Sequence, residues 1–376
     1  MTDDKSSLNE EEPPTPYIDS EYTALYRKDA ERGDPDAQHA LGMACLSNLE
    51  SEDESINVAE AQKWLSKAAE QNHADSQYTL GLWCELGRFI PKNEGAAVTW
   101  YRKASEQEHA DSQYRLGMMY LRGRGVLQDH KEAVAWLRKA AENNSPDGQV
   151  MLGRMYGRGQ GVPQSKAEAI NWYRKAAEQD DGIGQLELGM VHLRGDGVPQ
   201  DDVKAAAWTI KAAEQGYPEA QSLLGWMYMN GRGMAKDHAE ALAWFHKADE
   251  LDEDANAQFY IGLMYSRGTG VPKDEAQKAF WFRKAAEQGH PDAQYYLGTM
   301  YHKGAGGLPK DEREEIAWYR KAAEQDHPYA EFALGLKYES GQGVPQDDEE
   351  AVHWVRRAAE HGEEAAVEWL LSRGEA

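Results

Sequence analysis

The sequence predicts an all-α fold, a right-handed α-α superhelix (solenoid) of about nine two-helix repeats of roughly 36 residues, closed by terminal capping helices. Two interleaved series carry that prediction. Gly42, Gly81, Gly117, Gly153, Gly189, Gly225, Gly262, Gly298 and Gly335 each follow a Leu or Ile. Trp64, Trp100, Trp136, Trp172, Trp208, Trp244, Trp281, Trp318 and Trp354 usually follow 19 residues later. Both series repeat at 36 residues, stretched to 37 or 39 in places. A fixed period of this length marks units that bury their apolar faces only against their neighbours.

The third copy shows the unit. Asp111 to Arg122 carries apolar residues at helical spacing and reads as helix A, with Gly117 inside it. Gly123-Arg-Gly-Val-Leu-Gln128 breaks the helix. Asp129 to Glu142 reads as helix B, with Trp136 at its centre. Seven residues before the tryptophans stand Asn57, Asn93, Asp129, Ser165, Asp201, Asp237, Asp274, Asp311 and Asp347, all residue types that cap helix N-termini. Glu132, Glu168, Glu240, Gln277, Glu314 and Glu350 follow three residues on, as in a capping box. A glycine inside a helix costs about 1 kcal/mol against alanine. Its recurrence predicts a close helix approach, with the helix-B alanine pair (Ala140 and Ala141 in this copy) and the tryptophan as the expected neighbours. Lysines three and glutamates six residues after the tryptophan, such as Lys139 and Glu142, read as a solvated face of i,i+3 pairs.

The repeats predict one domain over 17–376. Residues 17–35 form an N-terminal cap helix with Leu25 in the tryptophan slot, 36–363 the nine repeats, and 364–376 a C-terminal cap. Lys337, in an otherwise apolar slot, reads as part of an exposed end. Residues 1–16 are acidic, contain three prolines and read as a disordered tail. With no basic and apolar leader pattern and no long apolar run, the expected setting is cytoplasmic. A formal net charge of −24 argues against nucleic acid and anionic membranes, and fits a basic partner. Cys45 and Cys84 occupy equivalent slots in successive repeats, about one helix spacing apart, and are expected as free buried thiols.

Ala293-Gln294, Leu297-Gly298 and Met300-Tyr301, with Gly161-Val162-Pro163 and Trp172-Tyr-Arg-Lys-Ala-Ala-Glu-Gln179, resemble the Sel-one-like repeat family. These are relatives of tetratricopeptide repeats with a longer loop between helices. The resemblance covers about 17–372 and implies an adaptor that binds proteins. The first two copies depart from it at 46–57 and at Leu86-Gly-Arg-Phe-Ile-Pro91, through a specialised contact or through terminal drift.

No nucleophile elbow, zinc-protease motif or phosphate-binding Walker loop is present, and Ser-x-x-Lys is absent. That bears on the family's penicillin-binding members. The paired loop glycines read as structural turns. His73, His109, His290 and His327 lie in the inter-repeat connections, whole repeats apart, too far to share a metal ion. His192, in a Tyr slot, reads as a core substitution. No catalytic, cofactor or metal site is therefore expected, and the chain reads as a non-enzyme.

Beside its core stripe, helix A carries a second stripe, three before, one after and four after the glycine. From it come the candidate partner-binding residues Tyr78, Leu82, Tyr114, Met118, Arg154, Met190, Trp226, Phe259, Leu263 and Tyr295. In tetratricopeptide-like solenoids this is the concave wall. The competing reading is that much of the stripe packs between neighbouring helices. The expected function is a monomeric scaffold binding a protein or peptide. A dedicated immunity or chaperone-like binder is the alternative within that class. A cell-wall hydrolase or penicillin-binding enzyme is the rival from another.

Overall fold

Each 36-residue unit folds as two antiparallel helices because caps and glycines mark both ends of each. A computed structural model describes residues 20–47, 54–252 and 254–375. Among them are twenty helices and no strand. Nine A helices run from Pro35–Ser47 to Pro328–Ser340, and nine B helices from Glu54–Glu70 to Asp348–Glu360. Ser20–Arg32 precedes them and Glu364–Arg373 follows. The tail at 1–16, residues 48–53 of the loop at 46–57 and the side chain of Leu25 lie outside what is described. The chain divides into two compact units between Gln179 and Asp180, and each is treated by itself below.

In the first unit, Asn93, Asp129 and Ser165 cap their B helices through the side chain. In the second, Asp201, Asp237, Asp274, Asp311 and Asp347 do the same. Asn57 instead lies inside its helix, which starts earlier, at Glu54. The capping box is also only half made. The Asp129 amide donates to the Tyr120 carbonyl of helix A, and the Asp347 amide to Tyr338. The glutamate three residues on is thereby released to accept from the indole one turn later, as Glu314 does from Trp318 and Glu350 from Trp354, both at 3.1 Å.

The notch glycines receive a different neighbour from the one expected. A Cβ at Gly117 would lie 2.8 Å from Leu137 Cγ and 3.2 Å from the Ala133 carbonyl. At Gly153 it would meet Tyr173, at Gly225 Phe245, and at Gly298 Tyr319. The side chain filling the notch is therefore the residue after the tryptophan, not the alanine pair. The indole instead helps seal the seam with the preceding copy, Trp172 packing on the cluster of Ala133, Leu137, Leu152 and Met155. Its outer face is covered by the lysine one turn on, Lys139 lying 4.0 Å from the Trp136 ring centre and Lys247 3.8 Å from Trp244. These lysines therefore make ring–cation contacts, a role that the i,i+3 reading did not foresee.

A glutamine spine, which the sequence reading passed over, ties copy to copy. Gln113 donates to the Ser105 carbonyl and Gln149 to Ala141, each bridging helix A to the preceding helix B. Their side-chain oxygens accept from Asn143 and Gln179 of the next turn, both at 2.9 Å. Gln215 to Gln185 and Gln325 to Gln294 repeat the contact in the second unit. The amides are buried, so each needs such a partner.

Three further residues settle local readings. Gly125, at φ +66°, faces the Glu94 carbonyl of the preceding copy so closely that a Cβ would collide with it. The paired loop glycines are thus turns and repeat contacts. Phe89 holds the equivalent position in the second copy at φ +68°, its ring 5.0 Å from that of Trp83, so this divergent loop folds onto the core. Lys337 is not at an exposed end. It is 8% exposed and lies 2.8 Å from Glu315, itself 1% exposed.

Cys45 and Cys84 are free and buried. Burial pushes the Cys45 thiol up to about 11 and raises that of Cys84, so neither offers a thiolate near neutrality.

Candidate binding face on the A helices

The start of each helix A decides which of its side chains are occupied. His73, His109, His290 and His327 are N-caps, and each Nδ1 accepts a first-turn amide, from Ser76, Ser112, Ala293 and Ala330. Ser145, Asp181 and Asp254 do the same work at the same offset, which is the signal that identifies the histidines as caps. The opposite ring nitrogen faces a carboxylate one copy back. His73 Nε2 lies 3.1 Å from Asp36, His109 Nε2 3.1 Å from Asp75, and His327 Nε2 3.3 Å from Asp292. These histidines serve helix ends and copy-to-copy contacts.

Where the next cap is a histidine, the residue three before the glycine lies against its ring. In the first unit His39 stacks on His73 at 4.8 Å between centroids, and Tyr78 lies 5.0 Å from His109. In the second, Phe259 stacks on His290 at 4.4 Å and Tyr295 on His327 at 5.1 Å. Phe259 is only 8% exposed and also stacks on Phe282. Tyr114 packs beside Leu137 and Leu152, and burial, with Asp147 second, pushes its phenol up to about 12. This half of the stripe is largely engaged in holding copies together.

The position one after the glycine behaves differently. Met43, Leu82, Met118 and Arg154 in the first unit are all half-buried. So are Met190, Trp226, Leu263 and Thr299 in the second, while Leu336 is exposed. The apolar residues just before the glycines, such as Leu80, Leu116, Leu188 and Leu297, are buried, as are Met119, Met155 and Met300 on the far side. In eight of the nine copies the residue one after the glycine is accessible while those just before the glycine and two after it are buried; in the fifth, Val191 is itself half-buried. Trp226 rests against Met227 and Ala205, with the Arg232 guanidinium 5.7 Å from its ring centre. Asp202 fixes that guanidinium through two hydrogen bonds of 2.5 and 2.9 Å. Met118 and Leu263 likewise rest one side on the core.

Asp326, Glu331 and His361 place ligand atoms within 4.8 Å of one another. Arg357 already supplies positive charge there, 2.5 Å from Asp326 and 3.1 Å from Glu331. His361 Nδ1 lies 2.8 Å from Glu331. The group reads as the final rung of the glutamine spine, with Glu331 and His361 standing in its two glutamine slots.

Nine consecutive stretches, 35–73, 74–109, 110–145, 146–181, 182–217, 218–251, 255–290, 291–327 and 328–363, match the Sel1 repeat. The chain belongs to the Sel1-repeat family. Among solved structures, this Sel1-repeat chain is similar to c5321, a protective antigen of uropathogenic Escherichia coli with an SLR fold. Identity is 33%, over 92% of this chain and 80% of that one, with a TM-score of 0.66. It is also similar to a Sel1 repeat protein from Oxalobacter formigenes, at 35% identity over 82% and 89% of the two chains and a TM-score of 0.60. No curated protein matches it. Among the described residues no helix is long and apolar enough to cross a membrane.

Proposed function

We propose that this Sel1-repeat protein is a non-enzymatic scaffold that captures a protein or peptide along the A helices. The observation that carries the reading is the accessible residue one after each glycine, while the residues just before the glycine and two after it are buried in all copies but the fifth. Methionine, leucine, tryptophan and arginine at regular intervals on rigid helices suit an extended or helical ligand. The binding residues are Leu82, Met118 and Arg154 in the first unit, and Met190, Trp226 and Leu263 in the second. Tyr78, Tyr114, Phe259 and Tyr295 contribute whatever ring surface their stacking leaves open. A net charge of −24 favours a basic partner. Buried unbridged cysteines fit a reducing, cytoplasmic setting.

Trp226 and Arg154 are the test positions, because aromatic and arginine side chains dominate binding hot spots. Trp226→Ala and Arg154→Ala should each leave helical content unchanged. Each should weaken capture of the native partner by about 2 kcal/mol, roughly thirtyfold, in affinity pulldown and calorimetry. Unchanged capture by both folded variants would remove the stripe as the binding face.

A further inference from the structure

In the second unit the aromatic stacking spills onto the surface. Tyr296 is 37% exposed and Tyr329 56%. Tyr295 connects them, its ring centre 5.7 Å from Tyr296 and 6.0 Å from Tyr329. Tyr296 is backed by Phe282 at 5.2 Å and by Phe259, and Tyr329 by His327. The rings are therefore set by the core and present fixed edges and faces outward.

Two carboxylates act on this cluster. Half-exposed Asp292 lies between two caps, 3.3 Å from His327 Nε2 and 4.0 Å from His290 Nδ1. The hydrogen bond from His327 holds its carboxyl below the usual range, so it stays ionised. Burial first and the Asp292 charge second raise the Tyr260 phenol, and burial, with Glu363, the cap of the last helix, among the lesser causes, raises that of Tyr295. Elsewhere the fold satisfies such rings internally, since each helix-B indole has its own lysine or arginine over it. Among the described residues no lysine or arginine lies over Tyr295, Tyr296 or Tyr329.

We infer that Tyr295, Tyr296 and Tyr329, with Asp292 and Glu363, form a docking site for an arginine- or lysine-bearing segment of a partner protein. The inference rests on the scaffold reading and names the partner chemistry. Electron-rich ring faces beside ionised carboxylates attract a cation, and the rings also cover its aliphatic stem. A protein of net charge −24 adds long-range attraction for the same sign of ligand. An acidic segment would meet repulsion from both carboxylates.

The test uses the full chain and fluorescent nonapeptides, one arginine-rich, one of equal length rich in glutamate, and one neutral. Fluorescence anisotropy at low and physiological salt should show binding of the arginine-rich peptide alone. Tyr329→Ala, at an exposed ring that can be removed without opening the core, should weaken it about tenfold. Tyr296→Ala/Tyr329→Ala should weaken it further, and Phe280→Ala, an exposed ring on a B helix, should leave it unchanged. Equal binding by wild type and Tyr329→Ala would overturn the proposal, assigning the attraction to net charge alone. Preference for the acidic or neutral peptide would also overturn it. So would self-association of the wild type that Tyr329→Ala abolishes, by giving the cluster to a second copy. None of these outcomes depends on capture at Trp226 and Arg154, so the two readings fail separately.

Discussion

Lys337→Met is expected to destabilise the second unit by about 3–5 kcal/mol, and Glu315→Ala added to it should restore most or all of the loss. In other copies the same seam is apolar. Ala133 meets Met155, Ala205 meets Met227, and Ala241 meets Met264. Glu315 and Lys337 replace that alanine–methionine contact with an ion pair at 2.8 Å, and His302 Nδ1 lies 3.1 Å from the same carboxylate oxygen. Removing the lysine alone leaves a carboxylate 1% exposed with only a partly exposed imidazole beside it. Burying a charge without its partner is among the largest single-residue penalties. The double variant rebuilds the seam found elsewhere, and replacing a buried pair by well-packed apolar groups is often neutral or stabilising by 1–4 kcal/mol. Urea unfolding monitored by circular dichroism supplies the double-mutant cycle. A Lys337→Met variant as stable as wild type would show that the pair is solvated.

Gly117→Leu should destabilise by about 1–3 kcal/mol or more, whereas Gly157→Ala, in the next helix A, should stabilise by up to about 1 kcal/mol. Both glycines sit inside helices, so helix propensity favours replacement at both. Space decides the sign. At Gly117 the first added carbon is 2.8 Å from Leu137 Cγ and 3.2 Å from a backbone carbonyl that cannot turn aside. At Gly157 nothing lies nearer than 3.8 Å. Thermal unfolding of the two variants checks the contrast. Shifts of the same sign would mean that propensity, not the notch, governs these positions.

The two-helix repeat was legible because its signals are local and recur nine times. A cap, a glycine and a tryptophan at constant offsets leave little freedom in where helices start, stop and face. What escaped the sequence are contacts running between copies. The notch partner was assigned to Ala140 and Ala141, but the helical phase that brings Trp136 onto the seam places Leu137, one residue on, over Gly117. Lys337 looked like an exposed oddity because its partner, Glu315, lies 22 positions earlier on the preceding helix B. The histidine caps and the glutamine spine were missed for a related reason. Each residue type varies between copies (His, Ser and Asp at the caps, Glu and His in the last rung), so the slot carries the role more than the residue does.

The candidate face was only half legible. Spacing placed Tyr78, Phe259 and Tyr295 on the same stripe as Leu82, Met118 and Trp226. Spacing carries no information on whether a ring is already stacked on the next cap. Tyr296, two before its glycine, lay off the stripe, and Tyr329, one turn before Phe332, lay beyond the positions that define it. Their exposure follows from the aromatic stack beneath them, which only tertiary packing reveals.

The central claim is that helix A keeps the residue one after its glycine open to a ligand while the stacking of copies closes the residues beside it in sequence, just before and two after the glycine. Adjacent methionines test it without a partner in hand. Met118 and Met190 hold the open position, while Met119 and Met155, each 1% exposed, hold a closed one. Limited peroxide oxidation of the folded protein, followed by peptide mass spectrometry, ranks their accessibility. The account predicts that Met118 and Met190 reach sulfoxide first and that Met119 and Met155 follow only on unfolding. Equal rates for Met118 and Met119 in the folded protein would contradict it.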